Sequence, residues 1–157
     1  MRIMVKIVLA IALASVAVGG WAKPTPVTVG NITYVSGGVG DDEEGEMQAT
    51  AKDYNLRLQF ATKSGAYLAA VRVSVVDDKG KTVLDTVSDG PCLFAKLPDG
   101  AYNLSAVNKG ESQKRAVSIS GKGAATYKLF WSNEPAGEAR DPAKEPPVEH
   151  RFHGCWK

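Results

Sequence analysis

Two histidines and a cysteine fall within six residues of one another, as His150-x-x-His153-x-Cys155. Imidazole nitrogen and thiolate sulfur are the donors that hold zinc or copper, so this cluster is the candidate metal site of the chain. It lacks a clear fourth ligand, and its sulfur has a competing partner in Cys92, the only other cysteine. The expected cofactor is therefore none, and a metal-binding periplasmic protein using His150, His153 and Cys155 stands as the alternative reading. Nucleophilic catalysis needs a serine or cysteine held beside a base. The only two histidines lie in a proline-rich stretch that is poorly suited to hold a base in place, so no catalytic residue is assigned and the chain is expected not to be an enzyme. A hydrolase with a site of unrecognised type is the third reading.

Other chemistry-bearing patterns have plainer explanations. Asp41-Asp42-Glu43-Glu44 and Asp77-Asp78 place carboxylates side by side, but without the alternating spacing of a calcium loop. Acids at a helix start or in a turn are usually solvated. Gly37-Gly38-Val39-Gly40 has the glycine content of a phosphate loop. No Lys-Ser/Thr follows it, and four acids stand where the anion would bind, so it reads as a hinge.

The N-terminus speaks to compartment. A short basic segment with Arg2 and Lys6 precedes an apolar run from Ile7 to Val18, and Gly20 and Ala22 supply small residues at the −3 and −1 positions. This is the layout of a signal peptide over residues 1–22, cleaved after Ala22. The apolar run is shorter than the roughly 20 residues that span a bilayer, and no cysteine follows it, so neither a transmembrane anchor nor a lipid anchor is expected. The chain carries 19 Lys and Arg against 17 Asp and Glu. Removing the leader makes the two signs equal, which argues against nucleic acid as a partner. A periplasmic or secreted location is expected.

These residues must be carried by a β-rich body. Residues 23–53 read as an extended arm, the glycine loop and a short helix from Asp41 to Asp53. Asp41 or Asp42 is placed to cap that helix, and Met47, Ala51 and Tyr54 share one face. Over residues 54–131 the hydrophobic period becomes two. Tyr54, Leu56, Leu58 and Phe60 alternate with polar residues, as do Val71, Val73 and Val75. Gly80, Gly90, Gly100 and Gly110 fall ten residues apart in turn-like settings, where glycine supplies a positive φ. Seven short strands at this spacing predict an all-β antiparallel sandwich with one short N-terminal helix. Residues 132–157 form a proline-rich tail whose end carries Phe152, His153, Cys155 and Trp156.

The run Asp89-Gly90-Pro91, then Leu97-Pro98-Asp99-Gly100-Ala101-Tyr102-Asn103-Leu104-Ser105-Ala106, resembles the carboxypeptidase regulatory-like domain, as does the opening strand and turn Ala70–Gly80. The similarity covers residues 54–131. It implies a seven-stranded Greek-key sandwich of the transthyretin (prealbumin) type, standing alone without the peptidase domain that names the group. The related hydroxyisourate hydrolases carry catalytic His and Arg on core strands. Here no strand carries His, which speaks against that activity.

On the strand Cys92–Leu97, Leu93, Ala95 and Leu97 make the apolar face. Cys92, Phe94 and Lys96 point the other way, where a returning tail reaches Cys92. Export favours oxidation, so a Cys92–Cys155 bond within one chain is expected, with free thiols or an intermolecular bond as the alternatives. Together these features describe an exported, non-enzymatic β-sandwich module whose partner is a protein or glycan of the cell envelope.

Overall fold

The computed structural model describes residues 23–132 and 154–156. Residues 1–22, where a signal peptide is expected, and the histidines His150 and His153 lie outside the described residues. The elements are strands β1 (Val27–Val29) and β2 (Ile32–Gly37), helix α1 (Asp41–Thr50) with a 3-10 turn at Ala51–Asp53, and strands β3 (Leu56–Thr62), β4 (Arg72–Asp77), β5 (Thr82–Val87), β6 (Cys92–Lys96), β7 (Gly100–Asn108), β8 (Glu111–Ile119) and β9 (Ala125–Trp131). They form two sheets, one of five strands in the order β1-β2-β6-β3-β9 and one of four in the order β5-β4-β7-β8.

Alternation drives the packing. Leu56, Leu58 and Phe60 of β3 meet Val73 and Val75 of β4, Leu104 of β7, and Leu129 and Trp131 of β9 in one apolar core between the sheets. Val71 and Tyr102 are buried in the same core, so the expected inner face is the observed one. Trp131 is fully buried; its ring meets Phe60 edge-on at 6.0 Å, and its indole N–H donates to the Glu111 carbonyl at 2.9 Å. The Tyr102 hydroxyl donates to the Pro98 carbonyl at 2.8 Å, which ties the start of β7 to the turn before it. In this way Leu97-Pro98-Asp99-Gly100-Ala101-Tyr102 fixes its own bend.

Three expectations require correction. Residues 54–131 do form seven strands, but the described residues hold nine, because the arm is a hairpin. β1 pairs with β2, and β2 pairs antiparallel with β6, so the arm extends the sheet. The arm's alternating Val and Thr residues are broken by Gly30-Asn31, and Gly30 adopts φ 61°, the left-handed conformation that a two-residue hairpin turn demands. The sheet is also not wholly antiparallel. β9 runs parallel to β3, from Leu56 opposite Ala125 to Thr62 opposite Trp131. The chain crosses from β8 back to the start of β3, where the Ala125 N–H donates to the Asn55 carbonyl at 2.8 Å, and that crossing fixes the direction. Finally, Tyr54 leaves the alternation of β3. It packs with Met47 and Ala51 on the opposite side of the sheet, because the 3-10 turn ends one residue before it.

The turn glycines divide by role. Gly80 and Gly110 take φ 80° and 84°. Gly90 is not among the positive-φ residues; a Cβ there would collide with the Gly37 carbonyl, so glycine is needed for close approach.

Leu58 is fully buried. Leu58→Ala is expected to destabilise the oxidised protein by about 2–5 kcal/mol, read from the denaturant midpoint at unchanged slope.

Candidate functional site

The two sheets present different outer faces. That of the four-stranded sheet is largely polar, with Val76, Val87 and Val107 set among its polar residues. Arg72 donates to Asp85 through two nitrogens, at 3.2 and 2.9 Å, and Lys114 and Ser118 are exposed. The outer face of the five-stranded sheet is apolar where Val35, Cys92 and Phe94 stand, and it is covered. Helix α1 lays Met47 on it, the 3-10 turn adds Ala51, Tyr54 follows, and Cys155 and Trp156 close over Phe94. The rings of Tyr54 and Trp156 each lie 6.1 Å from that of Phe94.

The helix is held by its sequence in a way that differs from expectation. Gly40 is the N-cap, with no side-chain cap bond, so neither Asp41 nor Asp42 serves. Instead Glu43, in the first turn, reaches back past the N-cap and accepts the Val39 N–H at 3.1 Å, which ties the incoming chain to the helix. In the last turn of the helix, Gln48 donates to the Gly154 carbonyl at 2.8 Å, tying the returning chain to α1.

Cys92 and Cys155 form a disulfide with Cα atoms 5.8 Å apart, so the expected covalent staple is present. Both cysteines are buried. The Cys155 sulfur is therefore committed to a bond and is not a thiolate ligand. Among the described residues no group of three or more His, Cys, Asp and Glu is arranged to hold a metal ion. Within the Gly37–Gly40 segment read as a hinge, Gly37 and Gly38 are held by close packing, and Gly40 opens the helix. Gly37 pairs with Cys92 in the sheet, and a Cβ on Gly38 would lie 2.6 Å from the Cys92 sulfur. The Ser36 hydroxyl donates to the Cys92 carbonyl at 3.1 Å and accepts the Asp89 N–H at 2.9 Å, which fastens the approach to β6.

Tyr67 stands beside this layer. Burial, and then the negative charge of Glu44, push its hydroxyl up to about 12, while the Gln59 amide pulls weakly the other way.

Two clefts open where the added layer meets the sheet. One, of about 380 Å³, lies between α1 and Trp156, over Gln48, Ala49, Lys52 and Arg57. The other, of about 500 Å³, is bounded by Lys52, Tyr54, Arg57, Lys96 and the Gly121–Gly123 loop. Lys52 and Arg57 line both. Asp53 is the acid among the lining residues. Arg57 projects from the outer face of β3, opposite Phe94 on β6 and Thr126 on β9. Sequence reasoning passed over it as one of the polar residues alternating along a strand. Its companions come from helix, strand, loop and tail, with no spacing to mark them.

No family model and no curated protein matches this chain. Its class therefore rests on the architecture, a disulfide-stapled two-sheet β-protein. No helix among the described residues is long and apolar enough to cross a membrane.

The staple closes a loop of 63 residues in sequence separation, for which the chain-entropy relation gives about 4 kcal/mol. The Cys92→Ser/Cys155→Ser protein is expected to lose about 2–4 kcal/mol against the oxidised wild type in denaturant titrations. Thiol labelling of the denatured, unreduced wild type should find no free cysteine.

Tyr67 gives a pH signature. Its pKa is raised in the fold above 10.0, so below pH 10 both states hold the proton and its contribution to stability is complete. As pH rises from 10 towards 12 the unfolded chain releases the proton while the folded chain keeps it, and stability falls. Tyr67→Phe should make that fall shallower, measured as denaturant midpoints across the alkaline range. Part of the slope should persist, since Tyr54 and Tyr102 are also raised, chiefly by burial.

Proposed function

We propose that the protein is an exported, non-enzymatic β-sandwich module, of the transthyretin-like Greek-key type found in carboxypeptidase regulatory-like domains, that binds or supports a component of the cell envelope. The observation that carries this reading is the layer fastened to the outside of the five-stranded sheet. A disulfide, a helix and a tryptophan cover what would otherwise be an apolar sheet face, and they leave basic clefts at the margin. Disulfides persist in oxidising compartments, which fits the leader-like residues 1–22 and a periplasmic or secreted location. The Tyr102–Pro98 bond gives the Leu-Pro-x-Gly-x-Tyr segment a structural reason to exist, and so supports the family resemblance. Loops and added elements on a rigid scaffold are where such folds carry their binding surfaces.

Cell fractionation is expected to find the protein outside the cytoplasm, beginning at Lys23 and fully oxidised. A photo-cross-linker in place of Lys52 should then label an envelope component, while one in place of Ser118, on the opposite sheet, should not. Reduced cytoplasmic protein, or equal labelling from both positions, would overturn the reading.

A further inference from the structure

The residue that joins the two clefts is a cation whose charge the described residues leave unanswered. Arg57 makes no hydrogen bond or ion pair among them, and its Nε is shut off from solvent without an acceptor. A buried N–H on a charged group is costly to leave unmade, and native folds seldom do so without reason. Lys52 and Lys96 stand in the same lining, exposed and likewise unpaired among the described residues, against Asp53 alone. On the largely polar outer face of the other sheet, by contrast, Arg72 is matched by Asp85. A planar guanidinium with two flanking ammonium groups is suited to grip a carboxylate, the fork taking both oxygens and the lysines adding attraction from either side.

The surroundings narrow the ligand further. β3 and β6 are interior strands, each paired on both sides, so the clefts offer no free strand edge for an extended peptide to join. What they offer is side chains: the partly exposed indole of Trp156, the Gln48 amide, and the cations. An aromatic wall with a few fixed polar groups is the general pattern of a small-ligand site, and its continuation past Arg57 into the second cleft suits a ligand of linked units.

We infer that Arg57, with Lys52 and Lys96, forms a carboxylate-binding site for an acidic sugar chain, one uronate-type carboxylate seated on the guanidinium and neighbouring sugar units lying in the two clefts. The inference rests on the envelope-binding reading for its choice of ligand.

The test uses the oxidised protein and a galacturonic acid trimer, followed by NMR and calorimetry. The expected result is saturable binding with shifts at Arg57, Lys52 and the Trp156 indole. Affinity should drop at least about tenfold in Arg57→Gln, the loss of one charge-assisted contact. Should Arg57→Gln fail to fold, Lys96→Gln serves instead; it should weaken binding less and make it less sensitive to salt. Equal binding of a neutral galactose trimer would overturn the assignment, since charge would then not be read. Equal or tighter binding of a triglutamate peptide, or of inorganic phosphate, would also overturn it, as would no binding of the acidic trimer. If Lys52 cross-links an envelope component while the acidic trimer does not bind, the sugar-acid assignment fails and the envelope-binding reading stands.

Discussion

The structure turns on one strand that must be dry on both sides. β6 sits in the middle of the five-stranded sheet, and four of its five residues are buried. Leu93 and Ala95 face the sandwich core, which any two-sheet protein supplies. Cys92 and Phe94 face outward, and nothing in a two-layer architecture covers them. An apolar outer face of that kind has to be buried by added chain or left as an association surface. Here the chain answers from both directions. The segment before β3 folds as a helix over it, and residues 154–156 return from beyond β9 to close it.

That requirement accounts for features that otherwise look unrelated. α1 carries few apolar residues, and Gly45 lies in its middle, so the helix has little intrinsic drive to form. It is held by the burial of Met47, by the Glu43 reach-back bond, and by the Gln48 bond to the returning chain. Gly38 and Gly90 crowd around the disulfide because a side chain at Gly38 would strike the Cys92 sulfur and one at Gly90 the Gly37 backbone, while a side chain at Gly37 would strike the Glu43 carboxylate. The largely polar outer face of the other sheet needs no such devices and shows none.

Much of the sandwich was legible in the sequence because a period of two, once one face is apolar, fixes which side of a strand is inside. Leu56, Leu58, Phe60, Val73, Val75 and Leu104 could be placed from alternation alone, and the opposed faces of Leu93 and Phe94 followed from the same rule. The pairing of Cys92 with Cys155 was open to view once Cys92 was known to face away from the core. The arm was misread because its first strand is only three residues long and follows Pro24 and Pro26, although Gly30-Asn31 between the strands is a hairpin signal. The parallel pairing of β3 with β9 had no local signature, since strand direction is set by a crossing between sheets. The Arg57 site was invisible for a related reason. Its members lie on a helix turn, two strands, a loop and the tail, and only the added layer brings them together.

The position of the second cysteine has a consequence for how the protein is made. Cys92 emerges from the ribosome before β7, β8 and β9 exist, and its partner follows only after the last strand of the sandwich. With two cysteines in the chain, no wrong pairing within one molecule can form in the interval. A copy that stops early, or loses its end to a protease, carries an odd thiol beside an uncovered Phe94. Oxidation thus reports on whether the covering segment is in place: a copy without residues 154–156 differs from an intact one by a free sulfur at Cys92.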